Sequence, residues 1–104
     1  MRIHFEQTGG FMGLKIELEL DTNELSPDEI ETLRQVMEEA NFFSLPEDLT
    51  TESVPDGLHY LIAVETENVI HSVRTSDTSA PPALRPLIQN LSQQARIRRR
   101  KKDQ

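Results

Sequence analysis

Apolar and polar residues alternate over two stretches of the chain. Residues 14–20, Leu-Lys-Ile-Glu-Leu-Glu-Leu, alternate without a break, which predicts a strand with one buried and one wet face. Residues 58–65 repeat the pattern, with Leu58, Tyr60, Ile62 and Val64 on one face and His59, Leu61, Ala63 and Glu65 on the other. Residues 2–8 also alternate, Ile3 and Phe5 against His4 and Glu6. Gly9-Gly10 follows and supplies the positive φ of a tight turn, so the first two strands are expected to form an antiparallel hairpin. Residues 69–75 pair back after a hairpin tip at Glu67-Asn68. Their phase is left open, because Val69, His71 and Val73 oppose Ile70, Ser72 and Arg74.

Two other stretches carry a helical period. Ser26-Pro27-Asp28-Glu29 reads as an N-cap, a proline at the first helical position and a capping box. Ile30, Leu33, Met37 and Ala40 follow at helical spacing with Val36 beside them, and Asn41 suits the residue just past the end. Phe42, Phe43 and Leu45 are expected to fold back onto the core before Pro46 stops any continuation. Leu84, Leu87, Ile88, Leu91 and Ala95 form a second stripe, with Pro86 tolerated in its first turn. The order β-β-α-β-β-α predicts an α+β fold: a four-stranded antiparallel sheet with two helices on one face. Residues 1–95 make a single domain, and 96–104 form a basic C-terminal tail expected to fray.

Composition narrows the function classes. The chain has 104 residues and no cysteine, which excludes disulfides, thiolate metal sites and a cysteine nucleophile. No apolar run approaches the roughly 20 residues of a membrane span, and the alternating N-terminus has no signal-peptide core; a cytoplasmic protein, with no membrane partner, is the expectation. Charge is unevenly placed. Six of the 11 basic residues lie in 96–104 beside one acid, Asp103, which leaves residues 1–95 with 5 basic and 17 acidic residues, a net charge of −12. Such a body repels nucleic acid.

Chemistry is hard to find. His4, His59 and His71 all sit on predicted strands, and there is no H-E-x-x-H, no Walker loop and no G-x-S-x-G elbow. The carboxylates fall on wet faces or in turns, away from the clefts that raise a catalytic pKa. The glycine-rich stretch 8–13 joins strand to strand, whereas a phosphate loop opens a helix. The chain is therefore expected to have no catalytic residues, no metal site and no cofactor, and not to be an enzyme.

Three segments together carry a likeness: Ile3-His4-Phe5-Glu6-Gln7-Thr8-Gly9-Gly10-Phe11-Met12-Gly13, Pro55-Asp56-Gly57-Leu58-His59-Tyr60, and Pro81-Pro82-Ala83-Leu84-Arg85-Pro86-Leu87, with Phe42-Phe43-Ser44-Leu45-Pro46 as a fourth piece. This pattern resembles the emfourin family, protealysin-associated protein inhibitors of thermolysin-like metallopeptidases. The likeness reaches about Gln94 and leaves the basic tail aside. It implies an inhibitor that binds such a peptidase and blocks its active site without cofactor or chemistry of its own; a monomer is the separate expectation. An inhibitor must offer a stiff element to a cleft, since a floppy one loses affinity to ordering entropy. Two loops qualify: Gly9-Gly10-Phe11, with an aromatic anchor, and Pro55-Asp56-Gly57, stiffened by proline. The alternative is a non-enzymatic adaptor that uses the tail, Arg96 to Lys102, on an anionic partner.

Overall fold

The computed structural model describes residues 1–9, 15–49, 57–76 and 79–102. Strands β1 (Arg2–Gly9) and β2 (Ile16–Asp21) come first, then helix α1 (Pro27–Ala40), strands β3 (Leu58–Glu65) and β4 (Ile70–Ser76), and helix α2 (Arg85–Lys102). The fold is therefore α+β in the order β-β-α-β-β-α. Single 3₁₀ turns at Thr22–Glu24, Phe42–Ser44 and Pro82–Leu84 lead into or out of the helices. All neighbouring strands are antiparallel, in the order β2-β1-β3-β4. No helix among the described residues is long and apolar enough to cross a membrane.

Local chemistry explains the helix ends. Ser26 caps α1: its hydroxyl oxygen accepts the Glu29 N–H at 3.2 Å and its O–H donates to the Glu29 carboxylate at 3.0 Å. One otherwise orphaned N–H is thereby satisfied. Asn41 ends the helix in the left-handed region, φ 52° and ψ 48°, where asparagine is among the few tolerated residues.

One core joins the helices to one face of the sheet. Ile3, Phe5, Leu18, Leu20, Ile62, Val64 and Val73 meet Leu33, Met37, Leu84, Leu87 and Leu91 in a single buried cluster. β2 begins at Ile16, and Leu14 lies outside the described residues. The phase of β4 is settled by its register. Val73 pairs with Ile62 and Thr75 with Tyr60, so His71, Val73 and Thr75 face the helices, and Ile70 is left 75% exposed on the open face. Phe43 corrects the expectation made of it. The 3₁₀ turn points Phe42 inward, 1% exposed, and its neighbour outward, 46% exposed. The outer edge of β4 is partly covered: Arg74 N–H donates to the Glu47 carbonyl at 2.8 Å, and Leu49 N–H donates to the Arg74 carbonyl at 2.7 Å. That pairing blunts an edge that would otherwise invite another strand.

Candidate functional site

The strand order decides where the two expected binding loops lie. β1 runs to Gly9, and β3 starts at Leu58, one residue after Gly57. Because β1 and β3 are antiparallel neighbours, Gly9 pairs with Leu58. The loop that leaves β1 and the loop that enters β3 therefore meet at one end of the sheet. Gly9 has φ +93°, and a Cβ placed there would run into the carbonyl oxygen of Gly57. Backbone conformation and close approach both demand glycine at this position. Of the six residues expected to bind a partner, the structure thus brings Gly9 and Gly57 into contact. Gly10, Phe11, Pro55 and Asp56 lie outside the described residues.

Charged side chains brace the base of the first loop. Glu6 and Glu17 sit directly opposite each other across β1 and β2, an arrangement of like charges that destabilises a sheet. Lys15 resolves it, with Nζ at 2.8 Å from carboxylate oxygens of both Glu6 and Glu17. The Lys15 ammonium, by hydrogen bonding, holds the Glu6 carboxyl below the ordinary carboxylate range. Donating a hydrogen bond to the Glu17 carboxylate, and then to that of Glu6, pushes the pKa of the Lys15 ammonium up. Further along the open face, His4 Nδ1 contacts the Glu19 carboxylate and His4 Nε2 lies 3.4 Å from Glu6. From the helix side, the Ser92 hydroxyl donates to the Gln7 side-chain carbonyl at 3.2 Å. This bond ties α2 to β1 two residues before Gly9.

Beside the second loop the open face carries a depression of about 320 Å³, lined by Glu6, Thr8, Asp48, His59, Leu61 and Arg74 among others. Sequence alternation does not single out Lys15, Gln7 or Ser92, because their partners are fixed by register and by the crossing of α2. The histidines are scattered. His4 and His59 lie on the open face, four register positions apart on neighbouring strands. His71 faces the helices, its Nε2 at 2.8 Å from the Leu45 carbonyl and its ring edge-on to Phe42. Among the described residues no group of three or more His, Cys, Asp or Glu is placed to hold a metal ion.

The fold and this sheet end define a small two-layer α+β domain in which the end of β1 and the residue before β3 meet at one end of the sheet. The Emfourin family model matches residues 5–92. The chain therefore belongs to the Emfourin family. It is also similar to a solved structure described as "Emfourin (M4in) from Serratia proteamaculans, M4 family peptidase inhibitor", with 17% identity, a TM-score of 0.42 and coverage of 83% of each chain. No curated protein matches the chain.

Proposed function

We propose that the chain is a protein inhibitor that binds a thermolysin-like metallopeptidase and blocks its active site. Membership in the Emfourin family over residues 5–92 carries this reading. The matched span includes both glycine-anchored loops and the strands that hold them. The binding element is the sheet end where Gly9 meets Gly57, with Gly10, Phe11, Pro55 and Asp56 supplied by the loops. A backbone contact between two strand ends costs no further ordering when a partner arrives, which favours affinity. Inhibition of this kind needs no nucleophile, metal or cofactor from the inhibitor.

The test is a titration of a purified thermolysin-like peptidase with this protein, followed by cleavage of a short peptide substrate. Activity is expected to fall to near zero at equimolar inhibitor when both are well above Kd. A small zinc-directed inhibitor of the enzyme is expected to compete with the protein. Full activity in the presence of a large molar excess would overturn the proposal.

A further inference from the structure

The basic C-terminal run stands apart from everything assigned so far. The family model ends at Ser92, and Ala95 is buried while Arg96 and Ile97 are exposed. Arg96, Arg98, Arg99, Arg100, Lys101 and Lys102 follow, on a backbone that stays helical to Lys102. At 1.5 Å per residue the helix axis continues for about 10 Å past Ala95. That distance matches the screening length of about 8 Å at physiological salt, so at its tip the run is largely shielded from the acidic body it grows out of.

Position gives the run a use. Ser92 bonds Gln7, two residues before Gly9, and Gln7 pairs with Ile16 and Tyr60 on its two neighbours. The cations therefore begin one helical turn after the residue that bonds the base of the first candidate loop, on a helix that also packs against β2. We infer that the helix from Arg96 to Lys102 is an auxiliary docking arm for the inhibited peptidase, and that it meets an acidic surface beside the enzyme's cleft. The inference rests on the inhibitor reading above and adds the chemistry of the partner's rim. The arm acts by attraction at a distance. It speeds encounter and orients the loops toward the cleft, and it contributes less to how long the complex lasts.

The experiment compares the parent with a variant in which all six cations become glutamine (Arg96→Gln, Arg98→Gln, Arg99→Gln, Arg100→Gln, Lys101→Gln and Lys102→Gln). Glutamine keeps the helix propensity while removing charge. Association and dissociation rates are measured with a thermolysin-like peptidase at low and high salt. The parent is expected to associate at least about tenfold faster than the variant at low salt, with the gap closing at 0.5 M salt and the dissociation rates alike. Equal association rates at low salt, with both proteins inhibiting, would overturn the arm and leave the inhibitor reading intact. A parent that does not bind the peptidase at all overturns both. Binding of a 20-base-pair DNA duplex by the parent at physiological salt, with no effect of the variant on peptidase association, would assign the run to nucleic acid and overturn the inference.

Discussion

The two faces of β1 sit one residue apart in sequence and behave as different materials. Ile3 and Phe5 are fully buried against the helices. His4 and Glu6, between and beside them, face solvent in a chain of charge contacts that runs through Glu19, Lys15 and Glu17. Stability comes from the first face, because apolar burial scales with area and is not screened as charge pairs are. Exposed ion pairs on the second face contribute little. Their positions matter more than their energy, since Lys15 settles the Glu6–Glu17 repulsion at the root of the candidate loop. The comparison teaches that this sheet is held by one face and leaves the other, together with the loop end, available for a partner.

The largest expected effect would break the comparison outright. Phe5→Ala is expected to cost about 3–5 kcal/mol through lost burial and a cavity, whereas His4→Ala on the same strand should stay within about 0.5 kcal/mol. Urea unfolding of both variants checks this, and similar losses would erase the distinction between the faces. The loop end comes next. Gly9→Ala places a side chain at φ +93° against the Gly57 carbonyl, and a loss of about 1–3 kcal/mol is expected. Amide resonances of Gly57 and Leu58 should move with it, and unchanged spectra would deny the contact between the strand ends. Ser26→Ala removes the cap of α1 and is expected to cost about 1 kcal/mol. Its thermal midpoint should fall without a change in sheet signals.

The smallest effect concerns acid. The Glu6 carboxyl is held below its ordinary value of 4.5 by Lys15, so folding favours its ionised form. That contribution is complete above about pH 4.5 and disappears as pH falls through the lower folded value. Lys15→Gln is expected to flatten the loss of stability between neutral and strongly acidic pH, read from urea midpoints across that range. Parallel acid slopes in parent and variant would remove the clamp from the account.

Much of this architecture is legible in the residues, for identifiable reasons. The unbroken alternation at β2 and β3 and the Ser26-Pro27-Asp28-Glu29 start of α1 are local signals, and local physics decides them. The phase of β4 is not local. Val69 and Ile70 are adjacent and both apolar, and the choice between them falls to the pairing of Val73 with Ile62 on the next strand. Phe43 follows the same logic, because a 3₁₀ turn sends consecutive side chains in different directions, and composition cannot say which of Phe42 and Phe43 goes inward. The site is legible only in pieces. Gly9-Gly10 and Pro55-Asp56-Gly57 announce turns, but the meeting of Gly9 with Gly57 at one sheet end depends on β1 lying beside β3, and alternation carries no information about neighbours.

The central claim is that this one end of the sheet is the surface that engages a peptidase. Inhibition constants for Phe11→Ala and Asp56→Ala, each confirmed as folded, should be compared with that of Phe43→Ala. Phe43 is the control: it is exposed, and it borders a separate depression that also involves Met1 and Met37. Against a thermolysin-like metallopeptidase, each loop variant is expected to inhibit at least tenfold more weakly than the parent, about 1.4 kcal/mol or more, and Phe43→Ala to stay within about twofold. Loop variants that inhibit within about twofold of the parent, with a large loss at Phe43, would contradict the account.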